Sequence, residues 1–249
     1  MFVIPDWPCP ANVRALITTR EGGVSPPPYQ SFNLALHVGD EASCVRRNRT
    51  LLHKKMQAMS DAEVDIQWLR QVHGTEVVEA ELGGAECPAD AATTEARLLA
   101  CAVMTADCLP VLLCDQRGRR VAAVHAGWRG LAAGILSRSL ASFELASEVL
   151  AYLGPAISQA HFEVGEEVRE AFRAAEWVER TSQIDSAFVR RGDRWHADLF
   201  ALARAELRAR GVEQIYGADL CSFADEKRFY SYRREGRTGR MASLIWKTS

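Results

Sequence analysis

Ala102 to Gly130 reads AVMTADCLPVLLCDQRGRRVAAVHAGWRG. An apolar run, an Asp-Cys-Leu-Pro turn, a second apolar run, a polar turn and a third apolar run follow in order, closed by His-Ala-Gly-Trp-Arg-Gly. Short continuous apolar runs are the mark of strands buried on both faces, so strands are expected over 98–104, 110–114 and 119–124. Gly127 then allows a sharp turn into a helix from about Trp128 to Phe143, with Gly130 and Gly134 placed for close backbone approach at some cost in helix propensity. Asp107, Cys108 and His125 fall where strands stop and loops begin, the places where α/β scaffolds present reactive groups.

Outward from this stretch, 13–19 reads as a strand, followed by an irregular Gly- and Pro-rich loop that begins at Arg20. The segment FNLALHVGD, with Asn33, His37 and Asp40, leads into a helix from about Asp40 to Met59. Residues 66–72 read as a strand that delivers His73, and Glu76 to Ala80 as the next strand. Glu148 to Leu153 and Glu213 to Leu220 complete the strands. Val168, Ala171, Phe172, Ala175 and Val178 repeat at helical spacing, as do Leu199, Leu202, Ala203 and Leu207 before Gly211. Residues 227–240 interleave basic residues with Phe229, Tyr230 and Tyr232, and a strand and turn are expected there to set Arg233 or Arg234 against an anion. With no repeat and no linker, the mixed α/β pattern is expected to form one domain over 1–249.

The composition, 48% hydrophobic and 25% charged, is that of a soluble globular protein. Thirty Lys and Arg against 32 Asp and Glu leave a net charge of -2, which gives no general attraction to nucleic acid or anionic lipid. The first 13 residues carry no Lys or Arg and no signal-type apolar core, and no apolar run approaches a membrane span. Seven cysteines, at 9, 44, 87, 101, 108, 114 and 221, form no CxxC pair and are expected to be reduced thiols of a cytoplasmic protein.

His73, Cys108 and His125 make a metal-ligand trio with one coordination position open. Their wide separation in the chain resembles no zinc finger or HExxH helix, so the ion would have to be assembled by tertiary convergence. A thiolate and two imidazoles suit zinc or copper. His37 is the nearest candidate for a fourth donor, against the alternative of a hydrogen-bonded loop histidine. Arg129 is either a surface charge or an anion contact, and Asp107 is either a proton-transfer group or a turn residue capping local backbone.

QVHG, TADCLPVLL, VHAGWRG, LGPAI followed by FEVG, and YSYRREGRTGR stand here in the order in which they mark the YfiH-like family. TTREGGVS, FNLALHVGD and VRRNR extend the resemblance over nearly the whole chain. Members carry the name multicopper polyphenol oxidase or laccase domain and are also described as purine nucleoside phosphorylases and peptidoglycan editing factors. The resemblance implies a layered sandwich of mixed β-sheets with flanking helices, and zinc on His73, Cys108 and His125. It implies phosphorolysis of adenosine, inosine and methylthioadenosine, with adenosine deamination as a second activity and a purine nucleoside and phosphate as the partners. One departure is visible: Phe229-Tyr230-Ser231 stands where Phe-Phe-Ser is expected.

Phosphorolysis needs a held phosphate and acid help to the leaving purine; Arg20, Asn33, Arg129 and Arg233 are the candidates for holding substrate or phosphate, and Asp107 is the candidate for proton transfer or ligand orientation. Two other readings stay open: a cysteine hydrolase using Cys108 with His125 as base, and a copper-dependent polyphenol oxidase. The second is limited by a total of six histidines. The oligomeric state is read as monomer or homodimer.

Overall fold

The computed structural model describes residues 2–178 and 181–249. Its core is two β-sheets laid face to face. The first has five strands in the order Phe2–Val3, Val13–Thr18, Met241–Lys247, Leu99–Thr105 and Asp65–Gln67. The second has six, in the order Gln214–Gly217, Val149–Leu153, Leu109–Asp115, Val121–Ala126, Ala91–Thr94 and Val77–Glu79. Each sheet is antiparallel except at an edge: Asp65–Gln67 runs parallel to its neighbour, and so do Gln214–Gly217 and Val77–Glu79.

Strand alternation decides which layer each side chain serves. Along Leu109–Asp115, Leu112 and Cys114 face the other sheet, among Ile17, Cys101, Val103 and Ile245. Val111 and Leu113 face the opposite way, toward Leu131, Ile135, Leu136, Leu202 and Leu207 of the helices. On the far side of the five-stranded sheet, Leu16, Ala102, Leu244 and Trp246 pack on Leu52 and Met56 of the helix Ala42–Ser60. The architecture is therefore helix, sheet, sheet, helix: a mixed α/β sandwich in which the central strands bury both faces. This is why 109–115 reads as an unbroken apolar run and not as an alternating one.

Several elements depart from the sequence reading. The stretch 66–72 does not form one strand; it splits into Asp65–Gln67 in the five-stranded sheet and Leu69–Arg70, which pairs with Cys87–Pro88 in a two-stranded ribbon. The helix expected over 128–143 is two helices, Trp128–Ala132 and Ile135–Leu140, separated by Gly134 at φ 87°. No side chain is needed there, and the left-handed turn re-aims the second helix. The helix around Phe172 covers only Glu166–Arg173. Residues 227–240 hold a short helix, Tyr232–Glu235, where a strand and turn were expected. The hairpin of Phe188–Arg191 and Arg194–Ala197 carried no assignment from the sequence.

Where Ile135–Leu140 meets the helix Leu199–Ala209, Glu206 is completely buried. Its Oε1 accepts from the Ser137 backbone N–H at 2.7 Å and from the Ser137 hydroxyl at 2.8 Å. Oε2 has no partner among the described residues. Burial pushes this carboxyl up to about 7, against the pull of Ser137 and Arg210 in the other direction. Between pH 4.5 and 7 the native protein therefore keeps a proton that the unfolded chain releases. Stability is fully expressed below pH 4.5 and falls as pH rises through 7, by at most roughly 3 kcal/mol. Glu206→Gln should flatten this slope, shown by denaturant unfolding at pH 5 and pH 8; an unchanged slope would remove Glu206 as its source.

Candidate metal centre

Segments from the ribbon, from the crossing between the two sheets and from the six-stranded sheet converge on one point. Leu69–Arg70 ends just before His73. Cys108 sits in the turn between Leu99–Thr105 and Leu109–Asp115, and His125 is the penultimate residue of Val121–Ala126. The ligand atoms of His73, Cys108 and His125 all lie within 4.8 Å of one another. The Cys108 Sγ is 3.9 Å from His73 Nε2, and the two imidazoles meet edge to face with centroids 4.8 Å apart. Metal–nitrogen and metal–sulfur bonds of about 2.0 to 2.3 Å together exceed the 3.9 Å between the Cys108 sulfur and His73 Nε2, so one ion can reach both.

Asp90, which no motif of the sequence singles out, lies directly behind the trio. Its carboxylate is fully buried and its Oδ1 stands 2.8 Å from His125 Nδ1. A carboxylate only accepts, so Nδ1 carries the proton and the Nε2 lone pair is left for a ligand. The same carboxylate accepts the backbone N–H groups of Val72, His73 and Gly74 at 3.2, 2.9 and 2.7 Å. His73 itself is held at φ 60°, a left-handed conformation that the Asp90 bonds fix in place. Burial pushes the Asp90 carboxyl up, but His125 and the loop N–H groups outweigh it and hold it below its ordinary range.

Glycines make the approach possible. A Cβ on Gly127 would stand 3.0 Å from the His73 ring and 3.3 Å from the Cys108 sulfur, and one on Gly130 would meet the Gly74 carbonyl at 2.6 Å. The glycines of VHAGWRG thus let the first turn of Trp128–Ala132 close against the His73 loop.

The electrostatics suit a cation. Burial raises the Cys108 thiol, yet His125 and His73 overcome this and draw it down to about 6. Burial lowers His125, but the adjacent sulfur and Asp90 carry it up to about 9. Without an ion, the pair leans toward thiolate and imidazolium, the arrangement from which a metal displaces a proton. Two imidazoles and a ready thiolate, oriented from behind by a carboxylate, fit a zinc or copper ion with one coordination position open to a ligand.

That open side faces a cavity of about 350 Å³, also lined by His37, Gln71, Met104, Tyr232 and Arg240. The Gln71 side chain is fixed by both backbone groups of Met104, at 2.8 and 2.7 Å. His37 lines the cavity without joining the donor cluster.

The other residues singled out from the sequence lie elsewhere. Asp107 is one position from Cys108, but its carboxylate accepts from the Ser222 and Ser231 hydroxyls at 2.7 and 3.0 Å and from the Arg233 backbone N–H at 2.7 Å. It ties the C-terminal segment to the sheet; it does not cap its own turn. Arg20 pairs with Glu235 at 2.7 Å, Arg129 is exposed over the Trp128 ring, and Arg233 donates to the Glu163 carbonyl. Asn33 is fully buried, bonded to Asp40, Ala35 and the Arg240 backbone. None of these five lines the cavity.

A family model described as multi-copper polyphenol oxidoreductase laccase matches residues 14–248. The chain belongs to this laccase-like family. Among its curated members, a purine nucleoside phosphorylase of Pseudomonas aeruginosa is 48% identical over 246 residues, covering 98% of each chain. The Escherichia coli member named purine nucleoside phosphorylase YfiH is 47% identical over 98% of each chain. A crystal structure of a Neisseria meningitidis protein superposes with a TM-score of 0.91 at 48% identity, covering 99% of this chain and 98% of that one.

If Asp90 orients the ligands, Asp90→Asn places an amide NH2 where an acceptor is needed for His125 or for the loop N–H groups. The expected result is a protein that holds zinc about 10- to 100-fold more weakly, measured by competition with a chromogenic chelator. Wild-type affinity in this variant would reduce Asp90 to a purely structural residue.

Proposed function

We propose that the whole chain works as one domain, a cytoplasmic zinc-dependent purine nucleoside phosphorylase. It would convert adenosine, inosine and methylthioadenosine with phosphate into free base and ribose 1-phosphate or its methylthio analogue, and deaminate adenosine as a second activity. The observation that carries the reading is the His73–Cys108–His125 cluster opening onto a cavity of about 350 Å³. That size lies at the small end of ligand pockets, about 300 to 1,000 Å³, and suits a nucleoside better than a polymer. The names of the relatives supply the reaction class.

His73, Cys108 and His125 would hold the ion, which supplies a Lewis acid and a bound water with a pKa near about 7, the species that attack on adenine C6 requires. The chain's own residues do the rest. Asp90 keeps Nε2 of His125 pointed at the site. The Asp107 clasp holds Ser231 to Arg233 so that Tyr232 forms one cavity wall, where its 60% exposed ring can lie against a purine face. In phosphorolysis a phosphate oxygen forms the new bond to C1′, the C1′–N9 bond breaks with its electron pair on the purine, and the purine takes up a proton.

A second reading has a specific observation behind it. Asp90, His125 and Cys108 form an acid–imidazole–thiol series with the thiol drawn down to about 6, the arrangement of a cysteine nucleophile. Polyphenol oxidation by a copper-loaded site is the third, taken from the family description.

Cys108→Ala separates them. Expected is a folded protein with wild-type circular dichroism, no bound zinc in elemental analysis, and phosphate-dependent hypoxanthine release from inosine reduced by more than the roughly hundredfold typical of losing a group behind a ligand. Retained phosphorolysis would falsify the metal-centred reading. Metal-stripped wild type that still turns over, and is silenced by alkylating Cys108, would favour the nucleophile; phenol oxidation by copper-loaded protein far above nucleoside turnover would favour the oxidase.

A further inference from the structure

Several arginines on this fold are paired with a carboxylate. Arg20, Arg49, Arg119, Arg120, Arg169 and Arg234 each reach an Asp or Glu oxygen. Arg240 is different. It is half-buried, it lines the cavity of the candidate metal centre, and no carboxylate pairs with it among the described residues.

Its position is nonetheless closely set. The backbone N–H donates to Asn33 Oδ1 at 3.0 Å, and Asn33 is in turn fully buried and fastened to Ala35 and Asp40. Nη1 donates to the carbonyls of Thr238 and Gly239, each at 3.0 Å. Nε and Nη2 have no acceptor among the described residues. The guanidinium is therefore fastened on one side and free on the other, where the cavity is. Burial lowers its pKa, the direction expected of a cation removed from water without a counter-ion.

His37 lines the same cavity and makes no hydrogen bond among the described residues. Burial and the nearby Arg240 and Arg49 lower its pKa, against Glu86, so near neutral pH it presents an uncharged imidazole with an N–H to donate. A half-buried cation with donors unused and little water around it favours an anion that can reach it. Arginine's planar fork is matched to the oxygens of a phosphoryl group.

We propose that Arg240, with His37 on the same cavity, forms a subsite for a phosphoryl oxyanion facing the His73–Cys108–His125 cluster. Asn33 acts through Arg240 as a positioning residue. The identity of the anion as the phosphate co-substrate rests on the phosphorolysis reading above; the subsite itself does not. The same chemistry would take the 5′-phosphate of a nucleotide, and the experiment separates the two sources.

The full-length protein is unfolded thermally with inorganic phosphate or with adenosine 5′-monophosphate at constant ionic strength, as wild type, Arg240→Gln, Arg240→Lys and His37→Asn. The expected result is a rise in wild-type Tm with inorganic phosphate that Arg240→Gln abolishes and Arg240→Lys partly keeps. In turnover at saturating inosine, the KM for phosphate should rise about tenfold or more in Arg240→Gln, the loss expected of a charge-assisted hydrogen bond, while the KM for inosine moves far less. Stabilisation by the nucleotide alone, lost in Arg240→Gln, would keep the phosphoryl subsite and assign it to a nucleotide. Wild-type stabilisation by neither ligand, or stabilisation that Arg240→Gln and His37→Asn both retain in full, overturns the subsite. Phosphate bound through Arg240 with no purine released leaves the subsite standing and refutes the phosphorylase reading instead.

Discussion

One buried carboxylate holds the centre together. Asp90 has no contact with solvent, yet its charge is met from four directions: the imidazole of His125 and the three consecutive backbone N–H groups of Val72, His73 and Gly74. An unpaired carboxylate at that depth would cost many kcal/mol. The four bonds offset the penalty only when the His73 loop and the His125 strand are both in place, and this couples two segments far apart in the chain. The Asp90 carbonyl adds a fifth tie by accepting the His125 N–H at 2.7 Å. The two imidazoles are thus oriented by one residue that touches neither ligand face.

The sandwich supplies the rigidity that this arrangement needs. Leu109–Asp115 and Val121–Ala126 pair over six positions, from Val121 with Cys114 to Ala126 with Leu109. Both strands are buried on both faces, so the register cannot slip without moving apolar side chains into the wrong layer. Cys108 and His125 flank that ladder at the same end, because His125 pairs with Pro110. Gly127 and Gly130 then let the following helix close over the loop, at distances where a Cβ on Gly130 would collide with the Gly74 carbonyl and one on Gly127 would crowd the His73 ring and the Cys108 sulfur. The trio converges because a fixed hairpin register, a clamped loop and two bare backbone positions agree on one point.

How much of this could be read from the chain follows the same physics. The apolar runs 98–104 and 110–114 were legible because burial on both faces removes polar alternation, whereas the third strand, expected over 119–124, begins two residues later and runs over Val121–Ala126, past the exposed Arg119. His73, Cys108 and His125 stood in motifs recognisable in order, although their meeting depends on long-range pairing. Asp90 was not legible: it lies in ECPADAA, between a short ribbon and the inner strand Ala91–Thr94, and its role exists only once Val72–Gly74 is folded over it. Gly134 was read as a tolerated residue inside one helix, since local pattern does not reveal that the next apolar face, Ile135 and Leu136, has to turn onto Leu202 and Leu207. The arginines posed the same difficulty. Arg20, Arg129 and Arg233 sit in conspicuous basic or glycine-rich stretches, whereas the cavity is reached by Arg240, the last of its segment, directed there by the buried Asn33.

The fate of the two acids nearest the trio bears on the chemistry. Asp90 is saturated by His125 and the loop, and Asp107 by Ser222, Ser231 and the Arg233 N–H. Asp107 adopts φ 95°, a conformation costly for a residue with a Cβ, and its three donors hold it there. In return it clamps the segment that carries Tyr232, and with it the wall running on to Arg240, against the sheet. No Asp or Glu lines the cavity among the described residues. Its walls include imidazoles, a phenol, an amide, a threonine, a thiol and a guanidinium, a set that attracts anions and can share a proton through nitrogen or a phenolic oxygen. For a departing purine, the proton must then come from an imidazole, from Tyr232 or from solvent, because the carboxylates of this site are already committed to building it.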